Sequence, residues 1–254
     1  MCGRYTLIST HFLHGRFALT QTPVLVPRYN IAPTQPVPVI RPNRNAPGMR
    51  MDLMHWGLIP SWAKDPAIGN RLINARAESA PDKPAFRSAF KYRRCLLPAD
   101  GFYEWKKIGR VKQPHLFRMK SGEPFAFAGL WEHWEEPGGS EIDSCTILTT
   151  NPNELVRPCH DRMPAIVRPE HFADWLNPQT SKEDLLKLLE PFPAEEMTDQ
   201  PVGTQVNSAK LDDSSCVEPA EDLSAQPIKA PAKKKPLANR ESAQAFLFPL
   251  EKNR

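Results

Sequence analysis

Apolar residues along this chain come in short runs, each broken by proline or glycine. Runs at 36–41, 50–56, 94–97, 101–107, 115–119, 125–131, 144–149 and 163–167 have the length and β-branched or aromatic content of strands. Gly122 and Gly138–Gly139 fall where hairpin turns are needed. Ser9 and Thr10 can cap a helix running to about residue 20, with Phe12, Leu13 and Phe17 as its apolar stripe. Further helices are predicted over 84–92, 153–157, 169–176 and 181–189, each opened by Pro, Asn or Ser. Strands and helices mix without a βαβα rhythm. That pattern predicts an α+β fold with a curved, barrel-like mixed sheet core and short peripheral helices.

The pattern changes near residue 219. A stretch rich in Ala, Pro, Lys and Glu has little to bury and reads as a flexible tail. The expected division is a globular domain over 1–218 and a tail over 219–254. The last ten residues turn apolar again, with Phe246, Leu247, Phe248 and Leu250.

Proline contributes 28 of 254 residues, about twice the usual share of ~5%. This excludes a long-helix bundle and favours short elements joined by rigid loops. No stretch approaches the ~20 apolar residues of a membrane span, and the N-terminus lacks the apolar core of a secretory signal. The cysteines, Cys2, Cys95, Cys145, Cys159 and Cys216, are odd in number and form no CxxC pair. A zinc ribbon is excluded and a disulfide framework is not expected, which predicts a reducing cytoplasmic setting with no metal or cofactor.

Net charge is +4, but its distribution is uneven. Residues 1–120 hold 20 Lys/Arg against 6 Asp/Glu, and residues 121–228 hold 6 against 21. Folding can interleave the two halves and neutralise them. Otherwise the first half builds a basic face that attracts a polyanion.

Cys2 carries the most distinctive chemistry. Removal of Met1 would leave a free 1,2-aminothiol. An α-amine of pKa ~7.7–8.0 is roughly 10–20% unprotonated at pH 7, far more than a lysine. It can attack an aldehyde to give a Schiff base, and the neighbouring thiol can close a five-membered thiazolidine. Alternatively the thiolate is the nucleophile and the amine its base, as in N-terminal-nucleophile amidohydrolases. A cysteine beside the start codon can also have no role.

Six segments accompany Cys2: MCGRY at the start, RYNIAPTQ at 28–35, HWGLIPSW at 55–62, LINARAES at 72–79, CLLPADGFYEWK at 95–106 and PCHDRMPAIV at 158–167. With PVGTQVNSAKLDDSSC at 201–216, they closely resemble the SRAP family of SOS-response-associated, abasic-site-processing proteins, collinearly over about residues 2–217. The resemblance implies an SRAP-like fold and capture of an abasic site in single-stranded DNA as a covalent adduct, with removal of the chain's own Met1 and β-elimination as attendant activities. It implies Cys2 as nucleophile, Asn74 as the amide holding the terminus, and Glu104 and His160 as acid/base groups. It assigns Arg4, Arg76 and Arg162 to phosphates or to the terminal strand. Location near the replication fork follows from such a substrate.

The residues themselves allow those roles beside plainer ones. Strand alternation puts Phe102 and Glu104 on one face, where partial desolvation would raise the carboxyl pKa. A pairing of Glu104 with Lys106 or Arg110 is the plainer alternative. His160 titrates near neutrality, or hydrogen-bonds Asp161. Arg76 and Arg162 suit bidentate phosphate contact, or pair with Glu78 or Asp161. Asn74 can simply cap a turn. Trp62, in the basic half, is a candidate stacking platform for unpaired bases.

Rival functions are a class II amidotransferase-like hydrolase using Cys2, a cysteine peptidase using Cys159 or Cys145 with His160, and a non-covalent single-strand binder. In the tail, Gln244, Leu247 and Phe248 fit the Q-x-x-L-F pattern with which bacterial proteins dock on the sliding clamp. Its plainer reading is an apolar end packed back on the domain.

Overall fold

The computed structural model describes residues 2–19, 24–43, 47–136 and 138–225. Its strands in chain order are β1 (Tyr5–Leu7), β2 (Arg28–Ile31), β3 (Pro36–Pro42), β4 (Met49–Trp56), β5 (Asn74–Arg76), β6 (Arg94–Ala99) and β7 (Gly101–Ile108). They continue with β8 (Val111–Met119), β9 (Phe125–Glu135), β10 (Glu141–Thr150), β11 (Met163–Pro164), β12 (Ile166–Val167) and β13 (Met197–Pro201). Short helices are α1 (Leu13–Arg16), α2 (Arg87–Tyr92), α3 (Phe172–Leu176) and α4 (Lys182–Lys187).

Five strands close a ring. β10 pairs with β4 in parallel, then β4 with β3, β3 with β6, β6 with β9, and β9 with β10, all antiparallel. This is the barrel-like mixed sheet that the sequence predicts. β6 is buried at every position, as expected of a strand covered on both faces. β5 joins the ring from outside, parallel to β10, with Asn74 opposite Ile147 and Arg76 opposite Thr149.

A second sheet of order β13-β8-β7-β1-β2 packs on the ring. Tyr5 makes edge-on contacts with Trp56 at 5.3 Å and Phe127 at 5.6 Å, and Phe102 stacks on Phe117 at 5.2 Å. These aromatic rings are fully buried and are the seam between the two sheets. Truncating one of them would cost about 3–5 kcal/mol.

Three elements differ from expectation. The helix over 9–20 shrinks to the four residues of α1, with no side-chain cap. Asp100 captures the start of that segment, accepting from the Thr6 hydroxyl and the Ile8 backbone at 2.5 Å and from the Ser9 backbone at 2.7 Å. Ala18, with φ of +47°, ends it. Residues 153–157 form turns rather than a helix, because Asn153 donates to the Phe192 carbonyl at 2.7 Å and accepts from the Val156 amide at 3.0 Å. The strand over 163–167 splits at Ala165, where the chain crosses from β10 to β9.

The described residues up to Leu223 belong to one unit, and a second unit begins at Ser224. Gln244, Leu247 and Phe248 lie outside the described residues. No helix among the described residues is long and apolar enough to cross a membrane.

Candidate active site

Hydrogen bonding along β1 and β7 delivers the N-terminus to the site. Tyr5 pairs with Phe102, and the Tyr103 amide donates to the Arg4 carbonyl at 3.0 Å. Continuing that register sets Gly3 opposite Glu104, with Cys2 one residue beyond. Cys2 is fully buried, and its carbonyl accepts from the Asn74 side-chain amide at 2.8 Å. Asn74 is held in place because β5 pairs with the rigid β10. Its Oδ1 is buried and has no hydrogen-bond partner among the described residues. Burial, and then the Glu104 charge, push the Cys2 thiol far above the ordinary range, so it is a neutral S–H.

Glu104 is 3% exposed, and burial raises its carboxyl to about 7. The positive chain terminus pulls it down, while the negative charge of Asp161 pushes it up. At neutral pH this carboxyl is half protonated, the condition for a group that both gives and takes a proton. The alternative of a strand carboxylate resting on a basic neighbour would have lowered it instead.

His160 follows a turn in which its amide donates to Val156 at 3.1 Å. Its Nδ1 lies 2.8 Å from Asp161 Oδ1 and also 3.0 Å from the Arg162 amide. The amide can only donate, so Nδ1 accepts and the neutral ring carries its proton on Nε2. Burial and the positive chain terminus lower the His160 pKa, which agrees with that neutral form. The Asp161 ion pair forms when the ring protonates.

The arginines separate into two kinds. Arg162 is buried: it grips Glu78 bidentately at 2.9 and 2.8 Å and donates to Thr149 and Asn151 at 2.5 and 3.2 Å. This is the intramolecular pair that the sequence left open, and it occupies both terminal nitrogens that a phosphate would need. Arg4 donates to Asn30 at 2.9 Å and to the Val206 carbonyl at 2.6 Å, so it ties the terminal strand to the 206–211 segment. Arg76 is exposed at the end of β5, and among the described residues no hydrogen bond or ion pair is formed by its guanidinium. Its charge is felt by Glu78, whose pKa ends below the usual range through the Arg162 hydrogen bond despite burial. Trp62 is 59% exposed. It sits on a loop that begins at Gly57, where a φ of +145° and a Gly69 carbonyl oxygen 2.6 Å from where a Cβ would sit leave no room for a side chain.

Burial pushes the Cys159 thiol up to about 12 and the Cys145 thiol beyond the ordinary range, so neither supplies the thiolate of a cysteine peptidase. The residues that sequence reasoning missed are supporting ones. Thr149 and Asn151 hold Arg162, while Asp199 holds the buried His115 at 2.7 Å. Thr149 and Asn151 lie at the end of β10 and just past it, where periodicity carries no signal for side-chain partners. His133, Glu135 and Glu141 present ligand atoms within 4.8 Å of one another, but as exposed side chains at the opposite end of β10 from Thr149.

The family description "SOS response associated peptidase (SRAP)" matches residues 1–209. The chain is 42% identical to the abasic site processing protein YoqW of Bacillus subtilis, over 86% of this chain and 99% of that protein. It is 31% identical to the abasic site processing protein HMCES of Xenopus tropicalis, over 75% of this chain and 65% of that one. A solved structure from Bacteroides thetaiotaomicron superposes with a TM-score of 0.79 at 26% identity, covering 87% of this chain and all of that one.

Proposed function

Because the chain belongs to the SOS response associated peptidase family, we propose that it senses abasic sites in single-stranded DNA and captures them covalently through Cys2. The observation that carries this reading is the buried Cys2, tied by Asn74 at 2.8 Å beside a carboxyl of pKa about 7.

Met1 is removed by the protein's own peptidase activity, which frees the Cys2 amine. Glu104 gives its proton to the sugar ring oxygen as the C1′–O4′ bond breaks, and the proton of the C1′ hydroxyl passes to His160 Nδ1, the one lone pair of the neutral ring, which turns from the Arg162 amide to pair with Asp161, leaving an aldehyde. The amine adds to that aldehyde and water leaves, giving the imine. The thiol then adds across C=N, sulfur to carbon and proton to nitrogen, and closes the thiazolidine. A thiol held neutral favours this amine-first order over a thiolate-first hydrolase. The imine can also lose its acidified C2′ proton and expel the phosphate from C3′, which breaks the strand, a minor lyase path that ring closure suppresses.

Arg76 and Trp62 serve the DNA, one as phosphate contact and the other as stacking platform. Such contacts are sequence-tolerant, which suits a lesion that occurs in any context. Gln244, Leu247 and Phe248 dock on the bacterial sliding clamp, which would concentrate the protein where a polymerase stalls; a peptide of residues 239–254 should bind the clamp, and Leu247→Ala/Phe248→Ala should not. The deciding experiment for capture is incubation with abasic single-stranded DNA followed by a denaturing gel. A band that survives SDS and heat is expected, absent with intact DNA and with Cys2→Ala. Retention lost under denaturing conditions would leave only a non-covalent binder.

A further inference from the structure

His115 has no part in the mechanism above, yet it is buried on β8 directly across the ladder from Glu104. Residues opposite each other in an antiparallel pair project to the same face, with Cβ atoms about 4.5–5.5 Å apart. The stacked Phe102 and Phe117, one step along the same face, identify that face as buried.

From the other side β13 supplies Asp199, whose Oδ1 lies 2.7 Å from His115 Nδ1. A carboxylate only accepts, so Nδ1 carries a proton, and in the neutral tautomer that this contact selects the lone pair is on Nε2. Nε2 is buried and has no hydrogen-bond partner among the described residues, so in this structure it stands beyond direct hydrogen-bond reach of Glu104. A buried acceptor in that position suits a neighbour that can present an O–H. After burial, the Asp199 and Glu104 charges both push up the Cys159 thiol, so the three groups lie within electrostatic reach of one another.

We propose that His115 is a positioning residue for Glu104: anchored by Asp199, it offers Nε2 to the Glu104 O–H, through a small side-chain shift or one bridging water, and holds that proton in the site until the sugar ring oxygen takes it. His115 ends the step as it began, with its own proton on Nδ1 and no bond made or broken. The inference rests on the abasic-site reading above.

The ionisable groups around the pair are Lys106 on β7, Asp199 on β13, Cys2 and the positive chain terminus, Cys159, His160 and Asp161 on the loop, and Asp222. An acceptor bonded to the acid form raises a carboxyl pKa, so its loss lowers it. His115→Phe should therefore move the alkaline limb of capture toward acid.

The test is capture of an abasic single-stranded oligonucleotide by the Met1-processed full chain, followed from pH 5.5 to 8.5. Taking variant-to-wild-type ratios cancels the titration of the Cys2 amine. His115→Phe should stay within about twofold of wild type near pH 6 and fall about tenfold behind near pH 8, the effect of a one-unit shift. His115→Gln, which keeps a carbonyl acceptor, should recover most of the difference. Asp199→Asn should shift the limb in the same direction, and it carries the test if His115→Phe does not fold. Affinity for intact single strands should not change. Ratios flat across pH would overturn the inference, whether they stay at one or fall uniformly with thermal stability. Failure of wild type to capture at any pH would instead remove the abasic-site reading itself.

Discussion

Asn74 donates its side-chain amide to the Cys2 carbonyl at 2.8 Å, and both residues are buried. One hydrogen bond between a three-residue strand and the start of the chain thus holds the residue whose amine and thiol the proposed chemistry uses. Chain termini ordinarily fray. This one is held between β7 and β5, and the buried Asn74 Oδ1 remains as an acceptor for the Cys2 amine.

Removing that contact should slow capture rather than unfold the domain. Asn74→Ala loses a buried hydrogen bond of about 1–3 kcal/mol, which corresponds to roughly 10–100-fold in rate if the bond acts only on orientation. Asn74→Asp should be at least as poor, because an ionised carboxylate would face a carbonyl oxygen and the Glu104 charge. Single-turnover capture on denaturing gels measures this. Wild-type rates in both variants would show that the terminus needs no anchor.

Glu104 makes the protein's stability depend on pH in a direction opposite to most carboxylates. Its folded pKa, about 7, lies above the ordinary carboxyl value of 4.5. The folded state therefore gains from the bound proton below pH 4.5 and loses that gain as pH rises through 7. The loss is of order 3 kcal/mol by pH 8. Glu104→Gln mimics the protonated form, so its stability relative to wild type should rise between pH 5 and 8 while capture slows by ~10²–10⁴-fold. Denaturant unfolding at the two pH values reads the first effect. A variant equally stable relative to wild type at both would mean that Glu104 is not strained by burial.

Arg76 and Arg162 should behave oppositely although both stand in the resembling motifs. Arg162→Ala strips Thr149, Asn151 and Glu78 of their shared partner and should lower stability by about 2–4 kcal/mol. Arg76→Ala should leave the melting temperature nearly unchanged, weaken single-strand binding and reduce its salt slope. Anisotropy titrations at two salt concentrations, beside thermal melts, separate the pair. An unchanged salt slope for Arg76→Ala would remove it from the DNA contact.

What the sequence made legible follows the strength of its local signals. Apolar runs such as residues 95–99 of β6 and 125–131 of β9 announce themselves, because burial on both faces leaves them no polar positions. β1, β2, β5 and β13 do not: each has three to five residues, too few for a period of two to register. Asn74 and Cys2 came through the motifs, not through pattern. Their contact spans 72 residues, and nothing local to either encodes it. Arg162 shows the limit from the other side. Its residue type suits a phosphate and a carboxylate equally, and only the fold, by bringing Glu78 and Thr149 to it, decides between them.

Asp161 should set the pH optimum of capture without taking part in it. Its negative charge raises the pKa of both His160 and Glu104. Those two groups have opposite requirements in the proposed chemistry, since His160 must be neutral to accept a proton and Glu104 must be protonated to give one. Asp161→Asn removes the charge from both at once. His160 then stays neutral to lower pH, which helps capture on the acid side. Glu104 ionises at lower pH, which hurts it on the alkaline side. The ratio of variant to wild-type rate should therefore exceed one near pH 5.5, cross one, and fall below it near pH 8, with the Cys2 amine cancelling throughout. Asp161 is 85% exposed, so solvent screens its charge and the shifts should stay under about one pH unit. Raising the salt concentration from 50 to 500 mM should bring the ratio toward one at both ends. A ratio that moved in the same direction at pH 5.5 and pH 8 would mean that His160 and Glu104 do not hold the complementary roles assigned to them.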